Sequence, residues 1–167
     1  MESIVHSTDT LAVIASVAIA IAGFSGVVVA LTGRTADSFG PIEKLNLRIL
    51  LQVSALALLF AIVPLILHRG LEPSAAWRVS MLLYGTVHIA DAGFFVFRAR
   101  HSTTISRVQR LTPRLGIGIA VFQLLFVAFG TTTVIEVAYL LVLIWHLAIA
   151  GMGFTNLLFA SRDAEGG

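Results

Sequence analysis

Apolar residues run along this chain in five long stretches separated by short polar or charged segments. The first, from about Leu11 to Leu31, reads LAVIASVAIAIAGFSGVVVAL and carries no charge. The others cover about 45–67, 78–97, 115–133 and 137–160. A helix needs about 20 mostly apolar residues to cross the hydrocarbon of a bilayer. The pattern predicts an all-α integral membrane bundle of five transmembrane helices, a single domain over residues 1–167. Gly40-Pro41 precedes the second stretch, and proline is accommodated in a first helical turn, so that helix can begin early. The fourth is the shortest. From Leu115 to Gly130 it would reach roughly 24 Å as a helix, and Thr131–Thr133 are expected to complete it.

Composition agrees with this pattern. The chain is 57% hydrophobic and 12% charged, where soluble domains average about 25% charged. So little charge cannot keep the surface in water, and lipid must cover much of it. No cysteine is present, which excludes disulfides and thiolate metal sites. A net charge of +2 and a pI near 9.7 do not argue for nucleic acid, because the basic residues flank apolar spans.

Those basic residues predict orientation. The N-terminal tail has none. The first loop has Arg34, Lys44 and Arg48, and the second has Arg69 and Arg78. The third has Arg98, Arg100, Arg107, Arg110 and Arg114, the fourth has none, and the C-terminal tail has Arg162. With the N-terminus outside and the C-terminus cytoplasmic, nine of these lie inside and two outside, as the positive-inside rule requires. The leading MESIVHSTDT carries acids and no Lys or Arg, unlike the basic start of a cleaved signal peptide. In the loop 99–114, Ile105, Val108 and Leu111 recur among arginines. That spacing fits a short interfacial helix on anionic lipid as well as it fits an ordinary basic loop.

Small residues mark faces on which helices approach closely. In the first span Ala15, Ala18, Ala22 and Ser25 recur at heptad spacing, and Ala18, Ala22, Gly26 and Ala30 every four residues. The fourth span offers Gly116 and Ala120, and the fifth Ala150, Gly151 and Gly153.

Against this apolar background a few polar side chains carry whatever chemistry the chain has. Tyr84, His88, Asp91 and Arg98 share one face of the third span, and ionisable groups inside a membrane face the bundle interior. His88 and Asp91 are one turn apart and within direct reach. Glu136, Tyr139 and His146 share a face of the fifth span, and Gln123 is central on the fourth. His88 and His146 are expected near the midplane on helices running the same way. Arg48, Gln52 and Asn156 are expected to line an inner vestibule.

Three readings follow. His88, Asp91 and His146 form a proton-sensitive or ion-coordinating constriction, with Glu136 at its outer mouth. Alternatively, His88 and His146 ligate a haem among Phe94, Phe95 and Trp145, a reading that Asp91 disfavours. In the third, the His88–Asp91 pair is a hydrogen-bonded clamp that sets helix register or meets another subunit. No HExxH, Walker loop or GxSxG elbow occurs, so no enzyme, catalytic residue, metal or cofactor is assigned, haem excepted if His88 and His146 take it.

At AGFSGVVVAL (Ala22–Leu31), LNLRILLQ (Leu45–Gln52) and EPSAAWRVS (Glu72–Ser80) the chain resembles a group of small, uncharacterised bacterial inner-membrane proteins. The similarity covers the first three spans and fades afterwards. It implies a multi-pass setting in a bacterial inner membrane and transfers no activity. The sequence thus points to a small channel or transporter-like protein, with lipid and further copies or other membrane subunits as partners. The alternative is a non-transporting accessory subunit.

Overall fold

A computed structural model describes residues 2–31, 39–99 and 107–165, and every regular element among them is an α-helix. The helices are α1 (Glu2–Leu31), α2 (Pro41–Leu67), α3 (Pro73–Ala99), α4 (Arg107–Phe129) and α5 (Thr132–Glu165). All five are long and apolar enough to cross a membrane. Large apolar side chains, Phe24, Phe94, Phe122 and Phe129 among them, are exposed, as a lipid-facing surface requires.

The five helices match the five apolar stretches, but their ends differ for local reasons. α1 starts at Glu2 rather than near Leu11, because the polar lead contains no Gly or Pro to stop a helix. α2 starts at Pro41. There the Glu43 carboxylate accepts a 2.7 Å hydrogen bond from the Gly40 N–H, the reach-back half of a capping box. α3 starts at Pro73, five residues before the expected Arg78, with the Ala76 N–H donating to the Glu72 carbonyl at 2.9 Å.

The expected fourth span of 115–133 is corrected at both ends. α4 begins at Arg107 and continues through Pro113, which gives up one backbone donor without ending the helix. It stops at Phe129. Gly130 donates to the Phe126 carbonyl at 2.8 Å, and a Cβ at this position would lie 2.6 Å from that same oxygen. The threonines therefore do not finish α4. Thr131 caps α5, its hydroxyl facing the Val134 N–H at 3.5 Å and its carbonyl accepting from Ile135 at 3.0 Å. α5 accordingly starts at Thr132 rather than near Val137. The reading of 99–114 as an interfacial helix or loop lies in part outside the described residues; its portion from Arg107 onward is the start of α4. Arg34 and Arg100 also lie outside them.

The chain divides into two compact units. One comprises Met1–Ile62 and Leu143–Gly167, and the other Val63–Val142. In the first unit the heptad stripe of α1 is the packed one. Ala18 and Ser25 are buried, as are Leu11 and Ile14, while Gly26 and Ala30 of the four-residue stripe face outward. Gly153 of α5 lies against α2, where a Cβ would sit 3.3 Å from Leu50 Cβ. Small residues thus do bring helices together here.

In the second unit α3 and α4 pack closely and run antiparallel. Arg78 meets Val127 and Gly130, Gly85 meets Leu124, and Ala92 meets Gly116. α5 follows α4 through the short turn and lays Tyr139 against Trp77 and Tyr84 of α3.

Candidate functional site

The packed face of α3 in the second unit presents Trp77, Ser80, Met81, Tyr84, His88 and Ala92, all buried. Their three- and four-residue spacing is that of one helical face. Four of the six carry polar atoms, and α4 answers them with Gln123, itself only 1% exposed.

The central contact is between His88 Nδ1 and Gln123 Oε1, 3.0 Å apart and buried. Its polarity follows from the next residue in the network. Gln123 Nε2 lies 3.6 Å from Met81 Sδ, and a thioether can only accept. The amide must therefore turn its NH2 to Met81 and its carbonyl oxygen to His88. Nδ1 is then the protonated nitrogen, and in the neutral ring Nε2 holds the lone pair. That nitrogen faces α4 at Gly116, where a Cβ would stand 3.1 Å away. Glycine at 116 is what lets the imidazole fit against the helix.

Tyr84 stacks on the same imidazole, with ring centroids 6.1 Å apart, and its hydroxyl makes a long 3.5 Å contact with the Val142 carbonyl. Tyr84 also meets Tyr139 edge-on at 5.3 Å, Tyr139 meets Trp77 at 5.5 Å, and Trp77 meets His68 at 5.3 Å. Five rings thus form a continuous row from the α2–α3 turn to the His88–Gln123 pair. The Ser80 hydroxyl, on the same face of α3, is buried without a hydrogen-bond partner.

Arg78 plays a different part from the one its charge suggests. It sits in the second turn of α3 rather than in a loop. Its Nη1 donates to the Val127 carbonyl and its Nη2 to the Gly130 carbonyl, the latter at 2.9 Å. Carbonyls at a helix C-terminus lack intrahelical donors and carry partial negative charge. Arg78 satisfies both points for α4 from a neighbouring helix.

Of the residues singled out from sequence, Tyr84, His88, Gln123 and Tyr139 are brought together in this unit. Asp91, one turn beyond His88, is half-buried. Glu136 is half-buried on α5, where its charge acts on His68. His146 is buried to 2% exposure in the other unit. Arg48, Gln52 and Asn156 are exposed, and Asn46 is the buried amide in their part of the chain. The Arg98 side chain lies outside the described residues. Sequence reasoning missed Met81, Trp77 and His68. Trp77 and Tyr84, seven residues apart on α3, were the available signal for an aromatic face.

Haem does not fit this arrangement at His88. Gln123 occupies Nδ1, and Gly116 stands against Nε2. A porphyrin would have to displace α4.

Comparison with protein-family models, curated proteins and solved structures found no match to this chain.

Proposed function

We propose that this chain is a small multi-pass protein of a bacterial inner membrane, of channel or transporter type and without enzymatic chemistry of its own, acting as an oligomer. Its working site is built on the His88–Gln123 pair, with Tyr84 on the imidazole and Asp91 one turn along. The observation that carries this reading is the buried 3.0 Å contact between His88 Nδ1 and Gln123 Oε1 within helices apolar enough to span a membrane. An ionisable side chain at such a depth is costly, and its usual place is a substrate or ion pathway. Here the fixed amide leaves Nε2 as the proton-accepting nitrogen. The test is reconstitution into liposomes with a panel of ions and small polar solutes. Flux that depends on pH and falls in Asp91→Asn supports the proposal; no flux of any species at any pH, in wild type or variant, overturns it.

A second reading has its own support. At Gly23, Gly26, Gly93, Gly118 and Gly151 nothing lies within 4 Å of the position a Cβ would take. Helix surfaces left open at glycine admit a second helix at close range, as an accessory subunit of a membrane complex requires. Purification in mild detergent discriminates between the two. A foreign membrane protein retained in fixed stoichiometry favours the accessory role.

A further inference from the structure

The aromatic row begins at a residue outside the membrane-spanning segments. His68 follows the last residue of α2, and its N–H donates to the Pro64 carbonyl at 2.9 Å. It lies between the segments Glu43–Leu67 and Pro73–Phe97 and is half-buried. Its imidazole is thus partly open at the turn, whereas the His88 imidazole at the other end of the row is 4% exposed. The His68 ring stands nearly perpendicular to Trp77, at 75° and 5.3 Å between centroids.

We propose that His68 is a proton-binding site whose state is read by Trp77, a pH sensor at the α2–α3 turn. The surroundings are arranged for two states. A neutral imidazole packs edge to face on the indole as one aromatic ring does on another. An imidazolium is drawn to the π face of the indole, to the carbonyl end of α2 and to the Glu136 carboxylate, whose charge already acts on His68. Binding a proton therefore adds these pulls to the neutral contact and places a positive charge on a ring centred 5.3 Å from the indole. The turn of His68 itself holds Arg69 and Glu72, α3 offers Arg78 with its guanidinium committed to α4 carbonyls, and α5 offers Glu136. The turn at the end of α4, Gly130-Thr131, has no ionisable group. Burial pushes the His68 imidazole below its ordinary value of 6.5, and Glu136 opposes that in part.

Trp77 and Trp145 are the two tryptophans, and Trp145 lies in the other unit. In a Trp145→Phe background Trp77 is therefore the sole indole, and its emission reports the contact directly, because an imidazolium quenches indole emission where neutral imidazole does not. The protein, in detergent, is titrated from about pH 8 to about pH 5, where histidine changes charge. The expected result is a reversible fall in Trp77 emission with a midpoint below 6.5. His68→Phe, which keeps an aromatic edge on the indole but cannot titrate, should show none. Glu136→Gln should move the midpoint to lower pH. A flat wild-type titration, or a transition that survives in His68→Phe, overturns the proposal. The readout requires no flux, so it stands or falls separately from the transport reading.

Discussion

Gln123 holds His88 by one nitrogen and Met81 by its amide group, and this three-residue chain ties α4 to α3 at 3.0 Å and 3.6 Å. The acceptor-only sulfur decides which way the amide faces, and the amide decides which imidazole nitrogen carries the proton. One consequence is spectroscopic. Nitrogen-15 shifts of His88 should show the Nδ1-protonated tautomer in the wild type, and Gln123→Leu should release it to a mixture.

The same substitution should destabilise the fold. Removing the amide leaves a buried N–H of His88 without its acceptor, a cost of about 1–3 kcal/mol, while interhelical hydrogen bonds in membrane proteins average nearer 0.6. About 1 kcal/mol is expected in a denaturant titration of the detergent-solubilised protein. Adding His88→Leu to Gln123→Leu should recover part of the loss, since an apolar pair leaves nothing unsatisfied.

Glycine replacements on the α3–α4 face should separate by what they meet. At Gly85 an added methyl reaches 3.0 Å from Leu124 Cδ2, the far end of a flexible side chain, and Gly85→Ala should cost little. At Gly116 the methyl meets an imidazole anchored by Gln123, at 3.1 Å. Gly116→Ala should cost about 1–3 kcal/mol as overpacking does, and Gly116→Val more. The comparison is made by thermal melting in one detergent.

Arg78→Lys should behave nearly as badly as Arg78→Gln. The guanidinium spans two carbonyls with two separate N–H groups, and an ammonium cannot reproduce that fork. Hydrogen bonds to charged groups are worth about 1.5–3 kcal/mol. Loss of this order, with faster hydrogen exchange in the last turn of α4, is the expected outcome.

His68 contributes one part of the acid dependence of stability. Burial lowers the proton affinity of its imidazole in the folded chain, so the unfolded chain binds the proton more readily. The His68 contribution is therefore complete above the ordinary value of 6.5 and is lost as pH falls below it toward the lowered folded value. In His68→Phe the decline should be shallower, as measured by melting temperature against pH.

Hydropathy made the five helices legible, because about 20 apolar residues in sequence have few other uses. Helix ends were harder to read. The lead before Leu11 is polar yet contains no helix breaker, and Gly130 ends α4 through a carbonyl that only a folded backbone places beside it. The buried polar residues Tyr84, His88 and Gln123 were visible as exceptions in apolar stretches. Their pairing was not. Sequence sees neighbours along one helix, such as His88 and Asp91, whereas the His88–Gln123 contact depends on the antiparallel register of α3 against α4. Arg78 was misread as loop charge for a similar reason, since its acceptors lie some fifty residues away.

The decisive measurement is flux of protons, other ions and small polar solutes into liposomes carrying either the wild type or His88→Phe, with matched helix content confirmed by circular dichroism. Flux of at least one species above the empty-liposome rate is expected for the wild type, and none above it for His88→Phe. Equal rates in the two for every species, at any pH where both remain folded, would contradict the transport reading.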